Sequence, residues 1–240
     1  MGYSLGKEDL KVVPLMKSMV AELVGTMFLV IIGCGAAMQW KTDFDTTQVS
    51  EDWWLYCPTC PAVCFQVSLA FGLAVMAIAS FTGHVSGGNL NPAVSVGLLA
   101  GGKLSLLKCV VYVIAQCIGA VIGAGILHLV TPSQHRAGLG SNGLADGVTP
   151  LGGMVMELLM TMLLVLVVFA TAVDTGNKTA PMVAPLVIGL TVTAAHLVLM
   201  PYTGSGLWVE DFSFNMILPP QVRASIQPAA WAQPWSAQTQ

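Results

Sequence analysis

Charge is what this sequence lacks most: 9% of its 240 residues are Asp, Glu, Lys or Arg, against about 25% in an ordinary soluble domain. So few charges cannot cover a surface that faces water on all sides, and water is not the chain's main solvent. Basic clusters are missing too. With a formal net charge of -3, nothing offers the electrostatic footprint that nucleic acid or an anionic lipid surface would require. Nor do the 6 cysteines make a disulfide scaffold, because Cys34, Cys109 and Cys117 lie within apolar runs, where a thiol behaves as a small hydrophobe. Cys57-Pro-Thr-Cys60 has neither the βαβ pattern of a redox motif nor a loop histidine to complete a zinc site, which leaves an external disulfide or free thiols. There is no nucleophile–base pair and no nucleotide motif. The expectation is therefore a non-enzyme with no cofactor and no metal.

What is present is apolar length. Segments of roughly 20 residues, enough to cross a hydrocarbon core about 30 Å thick, run from about Lys17 to Met38, Ala62 to Phe81, Leu104 to Leu129, Gly153 to Val173 and Val183 to Met200. The polar residues 1–16 precede a first run too long for the core of a cleaved signal peptide. Lys7, Lys11 and Lys17 before the first span, Lys103 and Lys108 in the second loop and Lys178 in the fourth mark the cytoplasmic side, by the positive-inside rule. In the first loop Lys41 is outweighed by Asp43, Asp45, Glu51 and Asp52. The glycosylation sequon Asn177-Lys178-Thr179 then falls on the cytoplasmic face, where it cannot be used. An internal repeat is visible: Glu22-Leu-Val-Gly-Thr-Met27 opens the first span and Glu157-Leu-Leu-Met-Thr-Met162 opens the fourth. These two segments enter the membrane from opposite sides, the mark of inverted-topology repeats whose substrate path runs between the halves. A three-plus-three plan calls for a sixth span, and residues 208–240, broken by Asn215, Pro219, Pro220, Pro228 and Pro234, read instead as a disordered or surface-lying tail.

Between the second and third runs lies Gly83-His84-Val-Ser-Gly-Gly-Asn-Leu-Asn91-Pro92-Ala93 and an apolar continuation to Ala100. It is too apolar for a plain loop and too short to span. Gly83, Gly87 and Gly88 permit irregular backbone, Asn91 is a strong N-cap, Pro92 suits the first helical position, and Gly101-Gly102 stops the helix. The pattern predicts a re-entrant half-helix. Non-helical backbone at membrane depth is tolerated only where protein buries it or where it lines a water-filled cavity, so the segment points to a pore. The half-helix would aim its positive dipole end and the Asn91 amide at the midplane, repelling cations and holding a water oxygen.

The segment Ser86-Gly-Gly-Asn-Leu-Asn91-Pro92-Ala93-Val94 resembles the first Asn-Pro-Ala signature of the aquaporin (major intrinsic protein) family. Glu22 to Thr26, Val67 to Gly72, Tyr112 to Gly119 with Gln116, Leu144 to Val148, Glu157 to Thr161 and Gly189 to His196 resemble family segments in the same order. The resemblance covers residues 17–207 and implies an all-α membrane protein, an aquaporin-like helical bundle of five spans plus one re-entrant half-helix. It is closest to the water-selective branch, since Phe71 and His196 match two side chains of the aromatic constriction there, with His196 expected to donate to passing water. Ser205 stands where many water channels have a pore cysteine. The resemblance makes Glu22 and Glu157, costly inside a membrane, anchors of the half-helix loops rather than proton relays, with Gln116 as a further anchor and His84 as loop-anchoring or interfacial. It also implies water as substrate, membrane lipid as surroundings, homo- or hetero-tetramers with other aquaporin chains, and residence in the plasma membrane.

One departure matters. Tyr202-Thr-Gly-Ser-Gly-Leu207 leads up to a second signature, but Trp208-Val-Glu-Asp stands where Asn-Pro-Ala-Arg is expected. The second half-helix, the pore arginine and the sixth span are then missing from this form, and a splice variant or a reading-frame change is the expected origin. The functions in competition are a passive water channel and a non-conducting regulatory subunit that assembles with full-length relatives.

With five crossings and a cytoplasmic N-terminus, an epitope fused after Gln240 should be reached by antibody on intact cells, and one fused before Met1 should not. Labelling of both ends only after permeabilisation would rule out this topology.

Overall fold

The computed structural model describes residues 12–38, 61–140, 142–145, 147–173 and 180–205. The expectations for Cys57 and Cys60, for the sequon at 177–179 and for the 208–240 tail lie outside the described residues. Six helices carry the fold: α1 (Val12–Ala36), α2 (Pro61–Thr82), α3 (Pro92–Ala100), α4 (Leu106–Val130), α5 (Pro150–Val168) and α6 (Ala180–Thr203). All but the short α3 are long and apolar enough to cross a membrane, and no strand occurs among the described residues.

Three boundaries differ from the sequence expectation. The first helix begins at Val12, ahead of Lys17. A lysine near a helix end does not stop it, because the apolar stem lies along the helix while the ammonium reaches the interface, and Pro14 sits in the first turn, where its missing N–H costs nothing. The fourth span begins at Pro150 rather than Gly153, with Thr149 as its cap accepting from the Gly152 N–H at 3.1 Å. The last helix runs through Pro185 and Pro201 to Thr203 rather than ending at Met200. Membrane helices accommodate such prolines where neighbouring groups satisfy the freed carbonyls. Beyond Val168, α5 loosens into a π-helical stretch, Phe169–Val173.

The helices pack as α1 on α4 and α2 on α6, with α3 held between α4 and α5. Lipid tails are as apolar as leucine, so association rests on close packing of small residues rather than on expulsion of water. At the α2–α6 crossing Gly72 faces Gly189, and a Cβ on Gly189 would lie 2.5 Å from the Gly72 carbonyl oxygen and 2.8 Å from the Met76 Cβ. Backbone on that side cannot give way. Gly125 on α4 has nothing within 4 Å of its added Cβ.

Gly189→Ala should therefore cost about 1–3 kcal/mol by forcing two helices apart, while Gly125→Ala should be neutral. Thermal unfolding of the two variants in detergent checks this. Equal melting temperatures would mean that the α2–α6 crossing is not sterically set.

Candidate functional site

The chain leaves α2 at Thr82, turns through residues 83–90 and re-enters helix at Pro92. Asn91 caps α3 in extended conformation (φ -144, ψ 126), and its side-chain oxygen accepts from the Ala93 N–H at 2.8 Å. Pro92 occupies the first turn, where no N–H is needed. Upstream, Gly87 (φ 98) and Gly88 (φ 64) take left-handed conformations that suit glycine, and Leu90 takes one (φ 55) that does not. Such strain persists only where the surroundings over-determine it.

Glu22 supplies that determination. Fully buried on α1, its carboxylate accepts from the Ser86 hydroxyl (2.5 Å), the backbone N–H groups of Asn89 (3.0 Å) and Leu90 (2.7 Å), and the Gln116 amide on α4 (2.8 Å). Four donors fill the acceptor capacity of an ionised carboxylate. The cluster spreads outward: Gln116 and Asn89 both donate to the Ser95 hydroxyl, at 3.1 and 3.3 Å. Tyr112 donates to the Ser86 carbonyl at 2.9 Å, and Ser18 to the Val85 carbonyl at 3.0 Å. Thr26, one turn beyond Glu22, donates to the Leu90 carbonyl at 3.4 Å.

The same device recurs at the other end of the molecule. On α5 Glu157 accepts from the Thr203 hydroxyl, as Glu22 does from Ser86. The Ser205 N–H donates back to the Thr203 oxygen at 3.2 Å, as Gly88 does to Ser86 at 3.1 Å. Gly204 (φ 78) and Ser205 (φ 66) repeat the left-handed pair Gly87 and Gly88. The internal repeat thus extends from the helices into the turns, in the register Ser86/Thr203, Gly87/Gly204, Gly88/Ser205. Continued along the sequence, that register sets Leu207 opposite Leu90 and Trp208 opposite Asn91.

A cavity of about 60 Å³ runs beside α3, lined by Gly88, Asn89, Leu90 and Asn91 of the turn and by Phe71 and His196 of α2 and α6. A site needs roughly 10–15 Å³ to hold one water, so this space holds several. Phe71 and His196 stack, with ring centroids 4.6 Å apart at 22°. The Phe71 ring lies over Gly33 of α1, where any Cβ would collide with it. His196 is 3% exposed, and its Nδ1 is 2.9 Å from the Val192 carbonyl. A carbonyl only accepts, so Nδ1 carries the hydrogen, and the neutral ring has Nε2 left as an acceptor.

Of the residues expected from sequence, Asn91, Phe71 and His196 meet at the cavity, and Glu22 and Gln116 meet in the cluster beneath it. Pro92 and Ala93 form the first turn of α3, behind the lining. Ser205 is buried beside Thr203, with a hydroxyl lacking a partner among the described residues, and does not line the cavity. His84 is exposed in the turn, and no side-chain hydrogen bond anchors it among the described residues. Tyr112 bonds the turn from α4, its hydroxyl donating to the Ser86 carbonyl. Sequence reasoning missed Ser95, Tyr112 and Thr203. Only Thr203 left a signal, in the parallel between Ser86-Gly87 and Thr203-Gly204.

Known proteins agree with this architecture. The family model for the major intrinsic protein family matches residues 9–213. Aquaporin-5 of Mus musculus is 36% identical over 202 residues, covering 84% of this chain and 69% of that protein. Aquaporin-1 of Homo sapiens is 39% identical over 191 residues, covering 80% and 67%. Aquaporin-5 of Rattus norvegicus, at 38% identity, is covered over 65% of its length, so the chain spans about two thirds of these relatives. Among solved structures, the aquaglyceroporin from Plasmodium falciparum superposes with a TM-score of 0.62 at 26% identity, over 85% of this chain and 83% of that one. The matched residues 9–213 span all six helices, and the chain belongs to the major intrinsic protein family.

Proposed function

We propose that the chain carries the water-conducting half-path of an aquaporin-type channel, and that water crosses passively, down an osmotic gradient. The observation that carries this reading is a capped half-helix opening onto a cavity only a few waters in size, which a stacked Phe71–His196 pair also lines. In it, Asn91 offers a donor to a water oxygen and neutral His196 offers an acceptor to a water hydrogen. The positive end of the α3 dipole disfavours cations between them. The relatives that carry the name aquaporin support water as the substrate. Tetrameric assembly and placement in the plasma membrane are part of the same proposal.

A second reading concerns the chain on its own, and the repeat register favours it. Asn91 caps the first half-helix, but its counterpart is Trp208, which has no side-chain acceptor to cap a helix and no amide to offer water. Nothing in the 240 residues repeats the Asn-Pro-Ala turn. The chain then serves as a non-conducting partner of full-length relatives, with an Asn-Pro-Ala turn in its first half and no second one in its sequence.

Osmotic swelling of expressing cells, normalised to surface protein, separates the readings. The 240-residue chain alone should stay near background. A chimera in which an Asn-Pro-Ala-Arg segment and a sixth span follow Leu207 should conduct. Swelling by the unmodified chain equal to that of a complete channel would refute the non-conducting reading. In the conducting chimera, Asn91→Asp should keep the cap, since a carboxylate accepts from Ala93 as well as an amide does. It should still lower flux about tenfold through loss of one donor hydrogen bond of about 1–1.5 kcal/mol. Unchanged flux at equal surface expression would remove Asn91 from the water path.

A further inference from the structure

We propose that the π-helical turn closing α5 is a two-register device that selects which side chain faces the cavity: Ala172 in the register of this structure, Thr171 in the α-helical register. The observation behind it is one of phase. From α5 the cavity is lined by Leu164, Val168 and Ala172. In an α-helix side chains step by about 100°, so Val168 stands about 40° from Leu164, Thr171 would come back to about 20° on the other side, and Ala172 would be carried about 80° away. Yet Ala172 lines the cavity and Thr171 does not.

The π turn, Phe169–Val173, supplies the correction. Its hydrogen bonds reach one residue further along the chain than those of an α-helix, so each step is only about 80°. Four such steps from Val168 bring Ala172 back into line with Leu164 and leave Thr171 about 80° to the side. There the Thr171 hydroxyl donates to the Val167 carbonyl at 2.7 Å and asks nothing of the cavity. Single π turns inside α-helices gather at functional sites, and this one sets a methyl group where a regular helix would set a hydroxyl.

Both ends of the turn are held by packing. Phe169, its first residue, lies over Gly101 at the end of α3, where an added Cβ would meet the ring at 2.3 Å. Val173, its last residue, packs against the core. In the α register Val173 would stand about 180° from Leu164, on the side of the helix away from the cavity, whereas the π register turns it to about 80°. The contact of Val173 with the core therefore belongs to the π register alone, and it opposes the ordinary tendency of the segment to wind as α-helix. Without it Thr171 would take the place of Ala172, which narrows the bore and adds a polar group to an apolar wall. The consequence for water rests on the channel reading above; the register itself does not.

Thiol reactivity of the full chain in detergent tests the register without any need for conduction. Ala170→Cys, Thr171→Cys and Ala172→Cys are each treated with methyl methanethiosulfonate, and modification is read from the mass of the peptide, so that native cysteines do not interfere. A thiol reacts as its thiolate and needs water at hand, so Ala172→Cys should be modified at least tenfold faster than the other two. Val173→Ser, which gives up the apolar contact, should pass the reactivity from position 172 to position 171. Deletion of Ala170 removes the extra residue of the turn, and a regular α-helix then returns both Ala172 and Val173 to their present directions, so Ala172→Cys should stay reactive in that background. Elution volume and melting temperature report whether each variant folds. Faster modification of Thr171→Cys than of Ala172→Cys in the otherwise unmodified chain would overturn the proposal. So would loss of Ala172→Cys reactivity in a folded chain lacking Ala170, or an unchanged pattern in folded Val173→Ser. In the conducting chimera Ala172→Leu should abolish swelling while Thr171→Leu spares it. The expected thiol pattern together with full swelling of Ala172→Leu would leave the register standing and reject the water path through this cavity.

Discussion

A peptide group at membrane depth has no water to bond, and each one left unsatisfied costs several kcal/mol. This constraint governs the segment between α2 and α3, which enters the membrane without the internal ladder of a helix. Glu22 resolves it by taking two backbone N–H groups of the turn directly and a third donor through Ser86. A buried carboxylate is itself expensive, and the turn is what compensates it: loop and glutamate each satisfy what the other would leave bare. The α1–α4 contact follows, because Gln116 must reach Glu22 across it. The cavity follows as well, since the turn held at this depth forms its wall.

The second half of the molecule obeys the same constraint with different material. Thr161 stands one turn after Glu157 as Thr26 stands one turn after Glu22. Thr26 donates to the Leu90 carbonyl, while the Thr161 hydroxyl is buried without a partner among the described residues. By the repeat register the matching carbonyl belongs to Leu207. The left-handed Gly204–Ser205 pair repeats the backbone conformation of Gly87–Gly88. Serine in that conformation is strained by about 1–2 kcal/mol, a cost that glycine at position 88 avoids.

Much of this was legible in the sequence because it is local. Five apolar runs, the Asn91-Pro92 start of α3 and the paired glutamates each announce themselves within a few residues. The helix starts at Val12 and Pro150 were hidden because lysine and glycine, which break an apolar run on paper, do not break a helix. The cluster under the cavity was hidden for a different reason. Ser86 meets Glu22 across 64 positions and Gln116 meets it across 94, and no periodicity encodes such pairings. For His84 the sequence left loop-anchoring and interfacial readings open; it lies exposed in the turn, and Tyr112 bonds the turn backbone from α4. The hydrogen on His196 was unreadable until Val192, one turn earlier on α6, was seen to claim Nδ1.

The cavity also suggests why so little polar chemistry lines it. Besides the turn and the aromatic pair, its walls are Val75, Val94, Leu164, Val168, Ile188 and Val192, none with a side-chain hydrogen-bonding group. In the proposed channel a water between these apolar side chains would bond chiefly to neighbouring waters, and would give up little in moving on. A site must bind well enough to admit its ligand and weakly enough to release it, and an apolar wall with polar groups only near its ends meets both demands. A hydrated ion gains nothing from that wall, and a cation approaching Asn91 also meets the positive end of α3. In the proposed channel, selectivity would come from what the wall withholds: Asn91 and His196 would set the direction of the water's hydrogen bonds, and the apolar side chains would leave a hydrated ion nothing to bind.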